Sequence, residues 1–297
     1  VGSRDVGDDC TDAATIAFSN RTDADDWLAC LRAPKGASTS PPKTSTTSTT
    51  VANSTTLAAT TTSTVLRTSS TPVEPTPRLF CWSHMEIGGY EEDLIRSQLA
   101  KGVSVFACND FAIIASRRVV LGRMGGKSVE TWLNPEHHVG TGKYGVNGQK
   151  TDSFLNTETF LLAWDTLVKS GKLWPFDFVV KIDPDAVFFP ARLRAHIKDH
   201  VGRAVYFANC GKWPSGPKLY GSVEVVSVPA LRMYNRSVDE CKQLPWRGWG
   251  EDYYLQQCMD HIGVEQAQDF DQVGDDRCIA APCSNRAKAA FHPFKSV

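Results

Sequence analysis

The sequence predicts an α/β domain built on a mostly parallel sheet flanked by helices, preceded by a disordered Ser/Thr-rich stalk and a small disulfide-stapled segment. Three observations predict it. Strand-like and helix-like patterns alternate along residues 78–297, as they do where crossover helices join parallel strands. The run FDFVVKID is apolar at consecutive positions, as a strand covered on both faces must be. Residues 35–77 hold 23 Ser or Thr and five Pro with no aromatic residue, too little apolar surface to offset the entropy of ordering them.

The elements follow in order. Residues 1–34 contain CTDAATIAFSNRTDADDWLAC, with Ala14, Ile16, Phe18, Trp27 and Leu28 as the main apolar content. So short a unit needs a covalent staple, and Cys10 with Cys30 would supply one across a helical hairpin or cap. Residues 35–77 are the linker, of mucin-like composition. The α/β domain, residues 78–297, opens with RLFCWSHM as a first strand and YEEDLIRSQLAKG as a helix that Gly102 ends. VSVFAC reads as a second strand closing on Asn109 and Asp110. TETFLLAWDTLVKSG is a strong helix, and FDFVVKID follows as a central strand. Pro190 opens a helix with Leu193, Ile197 and Val201 on one face. In PWRGWGEDYYLQQCMDHIGV, a Trp/Gly-rich loop leads into a helix headed by Glu251 and Asp252, with Leu255, Cys258, Met259 and Ile262 facing the core and Gly263 as the stop.

Composition narrows the function. At 297 residues, 41% hydrophobic and 22% charged, the chain has material for a sizeable core, and a net charge of −1 argues against a nucleic-acid partner. No segment approaches the roughly 18 consecutive apolar residues of a membrane span. A chain opening on Val1 rather than Met carries the expectation of residues upstream, a signal peptide or membrane anchor among them. Nine cysteines and three glycosylation sequons, at Asn20, Asn53 and Asn235, point to an oxidising compartment: the lumen of the secretory pathway such as the Golgi, the cell surface or the exterior. An odd cysteine count leaves at least one thiol unpaired within the monomer.

The chemistry centres on PFDFVVKIDPDAVFFP. A core strand ending in Asp183 and Asp185, with Pro184 stiffening the turn between them, offers two oxygen ligands to a hard divalent cation. The plain alternative is a solvated turn. In open α/β sheets ligands sit outside the carboxyl ends of the strands, and Asp110, Asp183 and Asp185 are all expected at such ends. Glu251 and Asp252 either answer the positive end of a helix dipole or supply a general base. His292, in the apolar tail AAFHPFKSV, is either structural or a ligand. The glycine-rich stretch over residues 139–150, VGTGKYGVNGQK, is a loop, over the site or elsewhere on the surface. Trp213, Trp246 and Trp249 are candidates to stack on sugar faces, with packing beside the Glu251 helix as the plain alternative for Trp246 and Trp249. GRMGGKS is one residue short of a phosphate-binding loop, and for Cys278 and Cys283 a disulfide suits the compartment better than zinc.

The order of these features resembles a family. An apolar strand ending in Asp-x-Asp, then GWGED opening a helix, then a C-terminal His, is similar to the layout of GT-A fold glycosyltransferases. VVKIDPDAVFF and GEDYYLQQCMDHIGV most resemble the fringe and β1,3-galactosyltransferase-type inverting enzymes, over roughly residues 78–297. The resemblance implies a Mn²⁺ or Mg²⁺ ion held by Asp183, Asp185 and His292, and a nucleotide-sugar donor, a UDP-sugar, contacted by Asp110, Asp183 and Trp249. It also implies a base at Asp252, with Glu251 beside it, and a glycan or glycoprotein hydroxyl as acceptor. The chain departs from the pattern at Pro184, where the fringe-like enzymes carry a run of aspartates, and at YGSVEVVSVPAL, which replaces a Gly-Gly-rich strand. A retaining glycosyltransferase would show the same aspartate pair. A non-catalytic secreted or cell-surface glycoprotein built on such a domain is the alternative from another class.

Overall fold

The computed structural model describes residues 76–134, 141–146, 149–154, 156–213 and 215–296; in 141–146 and 149–154 it describes the backbone. The segment 1–34 with its Cys10–Cys30 pairing, nearly all of the linker, and the sequons at Asn20 and Asn53 lie outside the described residues.

The chain runs β1 (Leu79–His84), α1 (Tyr90–Lys101), a 3-10 turn (Ser104–Ala107), β2 (Asp110–Ala115), β3 (Val120–Met124), β4 (Lys127–Glu130), β5 (Trp132–Leu133), β6 (Thr141–Val146), β7 (Gln149–Phe154) and α2 (Thr157–Ser170). It continues through β8 (Phe178–Ile182), β9 (Val187–Phe188), α3 (Pro190–Ile197), a 3-10 turn (Lys198–His200), β10 (Val205–Ala208), β11 (Val223–Ser227), α4 (Val228–Cys241), α5 (Glu251–His261), β12 (Glu265–Gln268), β13 (Val273–Asp275) and β14 (Ala290–His292).

Seven strands form the central sheet in the order β12-β10-β11-β8-β1-β2-β5. All are parallel except β11, which runs against both β10 and β8. The alternation of side chains along β1 shows why both faces must be apolar. Leu79 and Cys81 join a core with α1 and α3, through Ile95, Leu99, Leu193 and Ile197. Phe80 and Trp82 join another with α2, α4 and α5, through Trp164, Leu231 and Leu255. Helices therefore cover both sides, and every residue of β8 is buried. From β1 the strand order proceeds one way to β2 and β5 and the other way to β8, so the crevice between the carboxyl ends of β1 and β8 is the switch point at which open α/β sheets bind ligands.

Several local expectations need correction. The predicted strand VSVFAC is a 3-10 turn over Ser104–Ala107, and the strand begins at Asp110. Gly102 ends α1 in the left-handed conformation with its N–H bonded to the carbonyls of Gln98 and Leu99, and Cys108 is then tied to Cys81 by a disulfide. The chain is thus reversed and stapled before it can extend. Asp110 consequently opens a strand and does not close one; paired with Phe80 near the start of β1, it lies at the edge of the sheet opposite Asp183. Helix α3 ends at Ile197, so Val201 falls beyond it and is 42% exposed instead of on the apolar face. Within the glycine-rich stretch read as a loop, residues 141–146 and 149–150 are strand: β6 and β7 pair antiparallel from Thr141 opposite Phe154 to Val146 opposite Gln149. GRMGGKS is the β3–β4 hairpin, turned by Gly125 and Gly126 at φ 56° and 79°, a conformation glycine adopts without strain.

Three disulfides occur among the described residues: Cys81–Cys108, Cys210–Cys278 and Cys241–Cys258. Cys278 therefore pairs across 68 residues with Cys210. Bonds of this kind persist in oxidising surroundings, so the protein belongs to a secretory or extracellular environment. No helix among the described residues is long and apolar enough to cross a membrane.

Candidate metal and base site

The site is assembled from both ends of the domain. Strand β8 delivers Asp183, whose N–H is bonded to the Ser222 carbonyl and whose own carbonyl accepts from Ala186 N–H. That turn sends the chain into β9. The tail returns as β14, which lies antiparallel to β9, with Phe291 opposite Val187, and parallel to β13, with His292 opposite Asp275. This three-stranded sheet carries His292 across 107 residues of sequence to Asp185. Phe294 N–H then bonds the Asp185 carbonyl at 2.8 Å and pins the tail against the turn.

One ligand atom each from Asp183, Asp185 and His292 lies within 4.8 Å of the others. His292 Nε2 is 3.2 Å from Asp185 Oδ1 and 3.9 Å from Asp183 Oδ2. Its other nitrogen, Nδ1, bonds the fully buried Asp275 carboxylate at 2.5 Å. Two carboxylate oxygens with an imidazole nitrogen oriented by a second carboxylate form a donor set that fits a divalent ion. The charges of the three groups differ: burial raises the Asp183 carboxyl, with Lys181 opposing it. Burial works against ionising Asp185, but hydrogen bonds from His292 and Lys295 outweigh it and hold the carboxyl down at about 2. Burial likewise opposes charge on His292, yet Asp185 and Asp275 raise it to about 9. In this arrangement the two aspartates are answered by the protein's own cations, Lys181 at Asp183 and His292 and Lys295 at Asp185.

A second cluster lies behind the first. Lys181, wholly buried within β8, places Nζ 2.7 Å from Asp183 Oδ1, 3.1 Å from Glu251 Oε1 and 3.6 Å from Glu224 Oε1, and donates to the Gly221 carbonyl at 2.7 Å. Burial alone would discharge this ammonium, but Asp183, Glu251 and Glu224 together raise it well above its ordinary value. Burial drives the Glu224 carboxyl well up, only partly countered by Lys181. A Cβ at Gly221 would stand 2.9 Å from Glu251 Oε1 and 3.3 Å from Asp252 Cβ, so glycine is what lets the β11 loop and the head of α5 approach.

Asp252 sits at the first turn of α5. Its Oδ2 accepts from Gly221 N–H at 3.1 Å and its Oδ1 from Tyr253 N–H at 2.7 Å. Burial first, and then the neighbouring Glu251 charge, push its carboxyl up to about 7, the range in which a general base works best at neutral pH. Asp252 and Asp183 are joined through Gly221 and Lys181. Asp110 stands apart, exposed, with its Oδ1 bonded to Phe111 N–H. Trp249 is half-buried with its ring 4.9 Å from that of Tyr253, and its carbonyl accepts from Thr157 Oγ1. Trp246 packs on Tyr254, and Trp213 is exposed.

Sequence reasoning missed Lys181, Glu224, Asp275, Lys295, Tyr90, Glu91 and His84. A lysine inside the apolar run VVKID was a usable signal, since a buried cation requires partners. Glu91 near the aspartates is pushed up to about 7, chiefly by burial. His84, closing β1 in the same crevice, is lowered to about 4 by burial and by Lys181.

No protein-family model matches the chain, and no curated protein matches it. Among solved structures it is similar to a glycosyltransferase involved in the glycosylation of the major capsid of PBCV-1, at 10% identity and a TM-score of 0.43 over 73% of this chain and 92% of that one. It is also similar to a protein from STIV, at 10% identity and a TM-score of 0.32 over 65% of this chain and 81% of that one. With likeness at this level, function has to be argued from the site itself.

Proposed function

We propose that residues 78–297 form a metal-dependent, inverting glycosyltransferase of the fringe and β1,3-galactosyltransferase type, moving a sugar from a UDP-sugar to a hydroxyl of a glycan or glycoprotein. One observation carries the proposal: an Asp183–Asp185–His292 group able to hold a metal ion at the switch point of the sheet, linked through Lys181 and Gly221 to a half-buried carboxyl, Asp252, poised near neutral pH.

Asp183, Asp185 and His292 would hold Mn²⁺ or Mg²⁺, and Asp275 would fix the His292 ring. The ion, when bound, supplies Lewis-acid stabilisation of charge on the departing diphosphate. Asp252 accepts the proton of the acceptor hydroxyl as that oxygen bonds to the anomeric carbon. The bond from that carbon to the diphosphate oxygen breaks with its electron pair leaving on the nucleotide, and a single displacement inverts the anomeric centre. Lys181 holds Glu251 in place beside Asp252 through the contact at 3.1 Å. Three disulfides support a secretory setting, the Golgi lumen or beyond, where such acceptors occur. Asp110, at the far edge of the sheet, has no part in this proposal.

The test is to incubate the full chain with a panel of nucleotide sugars and Mn²⁺, and to follow hydrolysis, transfer and product anomer. Metal-dependent turnover of a UDP-sugar with inverted product is expected. Turnover with retained configuration would remove Asp252 as base, and no turnover or binding of any nucleotide sugar would remove the transferase.

A further inference from the structure

The donor site contains a cation that neither the aspartate motif nor the tail histidine predicts. Lys295 Nζ lies 2.9 Å from Asp185 Oδ2, donates to Tyr90 Oη at 2.9 Å, and sits 5.0 Å from the centre of the Tyr90 ring. Asp185 is therefore divided: Oδ1 turns to His292, while Oδ2 holds the ammonium. The lysine side chain is 64% exposed although the carboxylate it grips is 7% exposed. Its partners also span the crevice, since Tyr90 opens the helix after β1 and Asp185 follows β8.

We propose that Lys295 couples metal to nucleotide: its ammonium opposes a divalent ion bound alone and then binds the diphosphate that arrives with it. The inference rests on the donor-site reading above and assigns Lys295 as a diphosphate-binding residue. The physical basis is sign. A fixed positive charge beside a dication site repels the dication and occupies an oxygen whose negative charge the ion would otherwise have to itself. An anionic diphosphate reverses the balance, because both cations then attract it. An ammonium has three N–H donors; Asp185 and Tyr90 take two, and the exposed side chain has one for an incoming phosphate oxygen. Among the described residues touching the metal group, Lys181 is buried and committed to three carboxylates and His292 is itself a ligand. Lys295 combines contact with exposure. Its backbone neighbourhood is fixed independently of its charge, through the Phe294 N–H bond to the Asp185 carbonyl, so removing the ammonium leaves the tail in place.

The experiment uses the full chain as wild type, Lys295→Met and Lys295→Arg. Mn²⁺ affinity without nucleotide is read from the electron paramagnetic resonance of free Mn²⁺, and UDP affinity at saturating Mn²⁺ by calorimetry. Lys295→Met is expected to bind Mn²⁺ alone about fivefold or more tighter and UDP about fivefold or more weaker. Lys295→Arg is expected to restore both. A variant that weakens both together, or changes neither, overturns the coupling while leaving the donor site standing. If the wild type with Mn²⁺ binds no nucleoside diphosphate, the donor-site reading and the coupling fall together.

Discussion

Both edges of the central sheet carry acidic residues, but only one of them is a candidate site. At the amino edge Asp177 Oδ2 accepts from Arg78 N–H at 2.7 Å and Asp110 accepts from its neighbour's N–H, beside the neutral amide of Asn109, whose Oδ1 accepts from Leu79 N–H at 2.9 Å and from Arg194. Each is answered by backbone or by one arginine, as turn residues usually are. At the carboxyl edge Asp183 and Asp185 face one another across a histidine, and their partners are cations that a metal or a phosphate would compete with. The number of carboxylates does not separate the edges; the kind of group that answers them does. Acidic side chains satisfied by amide hydrogens are finished structure, whereas those satisfied by cations, one of them the exposed Lys295, retain binding capacity.

The comparison can be broken first at Asp252. Asp252→Asn keeps the shape but cannot take a proton, so transfer is expected to fall by roughly 10² or more, with UDP and Mn²⁺ binding close to wild type. Near-normal transfer in steady-state assays would return Asp252 to the class of helix-terminal charges. Next comes Asp275→Asn, which leaves all three ligands in place but loosens the His292 ring. Mn²⁺ affinity measured by titration is expected to drop about 10–100-fold. Asp177→Asn at the other edge is expected to cost about 1 kcal/mol of stability in denaturant unfolding and nothing in metal affinity.

A smaller effect is the pH profile. The Asp252 carboxyl is raised to about 7 and must be ionised to act, so the transfer rate should climb as pH rises to about 7 and level off above it. A rate flat across that window in kcat/KM measurements would speak against Asp252. The smallest effect is expected from Asp110→Asn, which should leave nucleotide binding unchanged and stability within about 0.5 kcal/mol. Loss of UDP binding in that variant would make the amino edge part of the site after all.

Much of this was legible in the sequence. The buried run VVKID, the αL stop at Gly102 and the head of the Glu251 helix each had a local physical cause, and each appears where that cause puts it. Asp183, Asp185 and His292 were legible as candidates because an Asp-x-Asp turn and a tail histidine are visible as motifs, while the β9–β14 pairing is what brings them together. What was not legible depends on long-range pairing. The disulfide at Cys108 and the turn before it displaced β2 by several residues and carried Asp110 to the wrong edge. Asp275 meets His292 only through the β13–β14 register, and Lys295 meets Asp185 only because the tail is pinned to the β8–β9 turn. Glu224 reaches Lys181 through the antiparallel pairing of β11 with β8. No local spacing announces such partners. Lys181 is the exception: its charge inside an apolar strand required buried carboxylates nearby.

The central claim is that the carboxyl edge binds a metal–nucleotide complex, and thermal unfolding of the full chain with UDP and Mn²⁺ tests it most directly. Ligand at 100 times its Kd should stabilise the wild type by about 2.7 kcal/mol and raise the melting temperature. Asp185→Ala should abolish the shift, while Asp252→Asn should keep it. A shift that survives in Asp185→Ala, or no stabilisation of the wild type by any nucleoside diphosphate, would contradict the account.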